Sequence, residues 1–99
     1  MSEAGATRVA RNDDRHRYEA SIDGRVVGFS QYRLRPGQVV FTHTEIEPEY
    51  EGLGIGSALA SAALDDVRSR GERVVPLCPF IAGYIKRHPA YRDLVDETS

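Results

Sequence analysis

Glu51-Gly52-Leu53-Gly54-Ile55-Gly56 is the stretch on which the reading of this chain turns. Three glycines at every second position let backbone approach a ligand closely and leave N–H groups unpaired where a helix begins. That helix follows at once. Ile55, Leu59, Ala62 and Ala63 recur at helical spacing, Leu64 and Val67 point to another face, and Gly71 closes the segment. A helix N-terminus carries about half a positive charge, so a pyrophosphate can be held there without a lysine. The spacing excludes two other phosphate loops. A dinucleotide fingerprint wants a further glycine where Ser57 or Leu59 stands, and a Walker loop ends in Gly-Lys-Ser/Thr.

Upstream of the loop, Tyr18, Ala20 and Ile22 alternate with polar residues and lead into Asp23-Gly24, a pair suited to a tight hairpin turn. The next strand carries Val27, Phe29, Tyr32 and Leu34, and its apolar phase switches near Ser30-Gln31 as a bulge requires. Arg35-Pro36-Gly37 turns into a third strand, Gln38 to Ile46. Downstream, Arg73 to Leu77 is too short and too β-branched for a helix and reads as a fourth strand, parallel to the third. Pro76 and Pro79 lack N–H donors, so the two parallel strands part there. A last helix, about Ile81 to Arg87, stops near Pro89. The order β-β-β-α-β-α gives an α+β fold: an antiparallel three-stranded meander, a helix, a parallel fourth strand and a C-terminal helix. Residues 15–95 are expected to form the domain, with 1–14 and 96–99 as tails.

Composition narrows the function classes. Ninety-nine residues, 40% of them hydrophobic and 28% charged, make one soluble domain with a modest core and no run long enough to span a bilayer. A formal charge of -2 supplies no basic field for nucleic acid, so no nucleic-acid or membrane partner is expected. Cys78 is the single cysteine and no Cys/His cluster has zinc spacing, so neither an internal disulfide nor a metal is expected. Met1 to Asp14 lacks the apolar stretch of a secretory signal, and cytoplasmic residence is the default.

With these residues in view, Pro48 to Gly56 resembles motif A of the GCN5-related N-acetyltransferases, usually Arg/Gln-x-x-Gly-x-Gly/Ala. One departure is clear: Glu51 stands where Arg or Gln is usual. His43-Thr44-Glu45-Ile46, Pro76-Leu77-Cys78-Pro79-Phe80 and Tyr84-Ile85-Lys86-Arg87-His88-Pro89 are similar to the short, single-domain branch of that family, so the likeness runs from roughly Arg15 to Val95. It implies a truncated family fold without the first strand and early helices, and acetyl-CoA as co-substrate. The pyrophosphate would rest on Gly52, Leu53, Gly54, Ile55, Gly56 and Ser57. Ile46 would border the pantetheine between the splayed strands, with Lys86 and Arg87 near the 3′-phosphate.

Transfer to an amine of pKa ~10.4 meets a deficit at pH 7, where only about one molecule in 2,500 is neutral, equivalent to roughly 4.6 kcal/mol. A general base is therefore the part most needed, and Glu45, with His43 as its partner or alternative on the same face of the third strand, is the candidate. The resemblance implies an acid tyrosine on the last helix, which Tyr84 matches. Cys78, at the end of the fourth strand, is a candidate to carry the acetyl group, although direct transfer in a ternary complex is simpler. The acceptor is an amine on a protein, peptide or small molecule. Two other readings are a CoA-binding regulatory module without transfer and a small protein-interaction domain. A monomer or weak homodimer is expected, with Leu64 and Val67 facing the last helix or another chain.

Overall fold

The computed structural model of the chain describes residues 7–96. Its five-stranded sheet follows chain order. Strands β1 (Thr7–Asn12), β2 (Arg17–Ile22), β3 (Arg25–Arg35) and β4 (Gln38–Ile46) pair antiparallel in turn, and β5 (Arg73–Pro76) joins β4 in parallel. Helix α1 (Ile55–Ser69) connects β4 to β5, and α2 (Pro79–Arg87) follows. Short 3-10 segments at Pro48–Tyr50 and Pro89–Leu94 flank the helices.

The α+β expectation holds, including the two-residue turn at Asp23-Gly24 and the parallel return after α1. The three-stranded meander does not, because there are four antiparallel strands. Residues 7–12, expected in a tail, form a first strand that was expected to be missing; it pairs with β2 from Thr7↔Ile22 to Asn12↔Arg17. The expected tail residues 1–6 and 97–99 lie outside the described residues. Arg11 explains why β1 was hidden. Val9 and Arg11 share the side of the strand that faces the core, so a charge stands where apolar alternation would have marked a strand.

Arg11 is tolerated there because every direction around it is answered. Its side chain is 6% exposed and donates to Glu72 (2.9 Å), to Asp13 (2.8 Å) and to the Tyr18 and Tyr32 hydroxyls (3.3 and 3.1 Å). Burial alone favours losing its proton; Glu72 and Asp13 outweigh that and hold the guanidinium charged. The Tyr18 hydroxyl donates onward to Asp66 on α1 (2.6 Å), so one polar cluster ties β1 and β2 to the helix and to the turn before β5.

Below this cluster, α1 packs Ile55, Leu59, Ala60, Ala63, Leu64 and Val67 against Tyr18, Ala20, Tyr32, Val39, Phe41 and Val74 of the sheet. Leu64 and Val67, expected on a second face toward the last helix or another chain, are fully buried in this core. Burying a side chain of that size stabilises by about 2 kcal/mol. The C-terminal segment closes the far edge: Arg68 grips Asp93 with two bonds of 2.9 Å, Tyr91 donates to Asp65 (2.8 Å), and the Asp96 N–H donates to the Val74 carbonyl (2.8 Å).

Two bulges set which side chains face which way. Ala20 pairs with Gly28 and Ser21 with Val26, so Val27 is an extra residue that turns into the core and leaves Phe29 on the outer face. Gln31 pairs with His43 and Tyr32 with Phe41, so Thr42 is the extra residue of β4. The phase change read near Ser30-Gln31 thus lies earlier in β3, at Val27, and the irregularity opposite Gln31/Tyr32 comes from Thr42 and shifts the phase of β4.

Replacing Arg11 by Met should cost about 2 kcal/mol at neutral pH, between the values for exposed and buried pairs. Hydrogen bonds from Tyr32 and Arg11 hold the Asp13 carboxyl below its usual range; burial works to raise that of Asp66, but Tyr18 and Arg70 outweigh it and lower it. Folded pKa values below the unfolded ~3.9 mean that this stability is full above that pH and is lost as pH falls through the folded values. Urea unfolding should therefore show the parent losing stability below about pH 4, with the gap to Arg11→Met narrowing there. A gap that stays constant into acid would show that Arg11 does not sustain these carboxylates.

Candidate active site

The glycine loop leaves β4 through the Pro48–Tyr50 turn and opens into α1. Gly52 and Gly54 both stand at φ +82°, in the left-handed region that glycine enters without strain. Gly54 is the N-cap: its carbonyl accepts the Ala58 N–H (3.0 Å), and no side chain caps the helix. The first N–H groups of α1 therefore have no intrahelical acceptor and point, with the positive end of the helix dipole, out of the helix. They open onto a cleft of about 370 Å³ lined by Thr44, Ile46, Tyr50, Glu51, Gly52, Gly54, Ile55, Gly56, Ser57 and Phe80.

Gly56 is required for a different reason. A Cβ there would stand 2.7 Å from Cζ of Phe80, so the missing side chain is the space in which that ring rests. Phe80, in the first turn of α2, thereby closes the helix side of the cleft.

The wall opposite is β4 where it loses its partner. Its pairing with β5 runs from Gln38↔Arg73 to Phe41↔Pro76, and the Cys78 N–H then donates to the Phe41 carbonyl (2.9 Å). Pro76 and Pro79 bring no N–H to continue the ladder. Beyond Thr42 the strands diverge, Thr44 and Ile46 border the cleft, and His43 and Glu45 project from the other face of β4. His43 Nε2 and Glu45 Oε2 lie 2.7 Å apart, both largely exposed. Glu45 also lines a second cleft of about 330 Å³ with Arg17, Phe29, Ile46 and Glu47, in which the Arg17 guanidinium stands 4.6 Å over the Phe29 ring. Ile46 borders both clefts, so β4 is the partition between them.

The expected site residues fall into three groups. Ile46, Gly52, Gly54, Ile55, Gly56 and Ser57 meet around one cleft, and Glu45 and His43 form a pair behind it. Leu53, at 66% exposed, sits at the loop tip outside the lining. Cys78 is buried behind the cleft wall, its sulfur 3.2 Å from Thr44 Oγ1. Tyr84 is in the core with its ring stacked on His88 at 4.0 Å, outside the lining. Lys86 and Arg87 are exposed in the last turn of α2, roughly 10 Å along the axis from Phe80. Thr44, Tyr50 and Phe80 complete the lining without having been singled out. Both Phe80 and Thr44 carried a signal, since Phe80 follows Pro79 where a helix starts and alternation puts Thr44 on the face of Ile46.

This arrangement agrees with what the chain is similar to. The profile of the GCN5-related N-acetyl-transferase family matches residues 17–94. The chain belongs to that family. Protein NATD1 of Mus musculus is 30% identical over 92 residues, which cover 90% of this chain and 83% of the mouse protein. Among solved structures, a GCN5-like protein of Staphylococcus aureus superposes with a TM-score of 0.70 over 100% of this chain and 94% of that one, at 17% identity. The ribosomal-protein-S18-alanine N-acetyltransferase of Escherichia coli superposes with a TM-score of 0.57 at 18% identity. That match covers 61% of this chain but only 39% of the enzyme, so this family member spans about two fifths of its length. At these identities the structures speak for the fold.

Glu51, the departure from the family pattern, is exposed and borders the cleft directly before the glycines. Toward an anionic ligand its carboxylate is worth about 0.5–1.5 kcal/mol of screened repulsion. Glu51→Arg should bind CoA up to about tenfold more tightly at low salt and lose that advantage as salt rises. Titration calorimetry at two ionic strengths tests this; equal affinities at low salt would show that Glu51 faces away from the ligand.

Proposed function

We propose that this protein is an N-acetyltransferase that takes acetyl-CoA in the cleft at the α1 N-terminus and transfers the acetyl group directly to an amine. The observation that carries the reading is the uncapped start of α1, with Gly52 and Gly54 in left-handed conformation, opening onto a cleft whose other wall is the half of β4 that β5 does not pair. The residues present fit such a ligand. Nothing lies within 4 Å of where a Cβ would stand on Gly52 or Gly54, and the free N–H groups supply an anion cradle. When bound, acetyl-CoA supplies an activated acyl group as a thioester.

The chain's own contribution is then positioning and proton handling. Gly52, Gly54, Gly56 and Ser57 hold the pyrophosphate, and Ile46 flanks the pantetheine at the partition. Glu45 receives the proton of the attacking amine, with His43 holding the carboxylate at 2.7 Å. The second cleft behind β4, which Glu45 lines, is where the acceptor amine approaches. This placement supports a ternary complex, with cofactor and acceptor approaching β4 from its two sides.

A thermal melt tests the cofactor. Ligand at 100 times its Kd stabilises by about 2.7 kcal/mol, so saturating acetyl-CoA should raise the midpoint clearly, and ATP or NADH should not. No rise, or an equal rise with ATP, removes the reading. For the chemistry, CoA release is followed across a panel of amines. Glu45→Gln should lower turnover at neutral pH about 100-fold and recover part of it at high pH, where the amine deprotonates unaided. Cys78→Ala should keep most activity; a folded but inactive Cys78→Ala would show that the acetyl group passes through the cysteine.

A further inference from the structure

We propose that Ser30 and Thr44 form a hydrogen-bond relay of fixed polarity that presents the Thr44 hydroxyl proton to the cofactor sulfur and so stabilises the departing thiolate. The inference rests on acetyl-CoA occupying the cleft described above. Ser30 is fully buried, and its Oγ lies 2.9 Å from Thr44 Oγ1, its side-chain partner among the described residues. A buried hydroxyl without an acceptor is strongly disfavoured, so Ser30 donates to Thr44. Thr44 then has one proton of its own left to donate. Its Oγ1 also lies 3.2 Å from the buried Cys78 Sγ, where either atom can be the donor, and Thr44 borders the cleft.

Position selects Thr44 for this task. The reacting carbonyl must come within reach of an amine held by Glu45, and the thioester sulfur is one bond from that carbon. The neighbours of Glu45 on the cleft side of β4 are Thr44 and Ile46, and only Thr44 carries a proton to donate. Tyr84, to which the family resemblance gave the acid role, has its ring stacked on His88 in the core. In the step itself the amine nitrogen forms its bond to the carbonyl carbon and the C–S bond breaks with its electron pair on sulfur. The amine proton passes to the Glu45 carboxylate. Thr44 keeps its proton and donates a hydrogen bond to the thiolate, which takes a proton from water on release. A hydrogen bond to a charged sulfur is stronger than one to the neutral thioester, so the contact favours the product side of the step.

The relay has a signature that needs no acceptor and no turnover. CoA carries a thiol that ionises in the alkaline range and acetyl-CoA has none, so the ratio of their affinities isolates the sulfur. Calorimetry with both ligands under reducing conditions, at about pH 7 and about pH 9.5, should show CoA gaining on acetyl-CoA by on the order of tenfold in the parent protein. Thr44→Val should abolish the gain, Thr44→Ser should keep most of it, and Ser30→Ala should reduce it, which also serves if Thr44→Val does not fold. Cys78→Ala should leave the gain in place. If acetyl-CoA binds but CoA gains nothing at high pH, or if Thr44→Val gains as the parent does, the relay is overturned and the cofactor reading stands. A gain that vanishes in Cys78→Ala would assign the effect to the cysteine and overturn the relay too. If neither ligand binds the parent, the cofactor reading fails and takes the relay with it.

Discussion

The two sides of β4 are given their separate tasks by an extra residue, Thr42, inserted opposite the Gln31/Tyr32 pair. Before it, Val39 and Phe41 face α1; without it, strict alternation would send residues 43 and 45 to the same side and put a histidine and a glutamate into the core. With it, Thr44 and Ile46 take the cleft side and His43 and Glu45 the other. The bulge coincides with the point where β5 ceases to pair, so the side-chain phase changes where the strands begin to separate. Cleft lining, carboxylate placement and partition all depend on that coincidence.

Separation of the strands is itself a matter of missing donors. Pro76 and Pro79 cannot extend the ladder, and the Cys78 N–H makes the last bond across to Phe41 before the chain turns into α2. The turn brings Phe80 onto Gly56 and gives the cleft its second helix. A side chain absent at Gly56 and donors absent at two prolines thus shape the same cavity from its two ends.

Much of this was legible in the sequence because local chemistry and final structure agree. Asp23-Gly24 suits a tight turn, β4 was read from Gln38 to Ile46 because it is rich in Val, Phe and Thr, and the glycine loop announces an unpaired helix start. The missed parts are those where distant residues decide. Strand β1 was concealed by Arg11, whose partner Glu72 is far along the chain. Thr44 shares the face of Ile46 by alternation, but its partners Ser30 and Cys78 come from β3 and from the chain after β5, which local sequence does not show. Tyr84 was named by its match to a motif, and the stacking of its ring on His88 among core residues is a placement that spacing does not show.

The Arg11 cluster also has a consequence for the order in which the molecule assembles. Hairpins β1–β2 and β2–β3 join near neighbours and form early, but the bond from Arg11 to Glu72 spans 61 positions and closes a loop that includes three strands and a helix. The entropy of closing it must be met before the contact returns anything, so it forms late. During synthesis from the N-terminus the guanidinium therefore waits, with its tyrosines but without its glutamate, until α1 has left the ribosome and packed. The first of the described strands to be made is thus among the last to be secured.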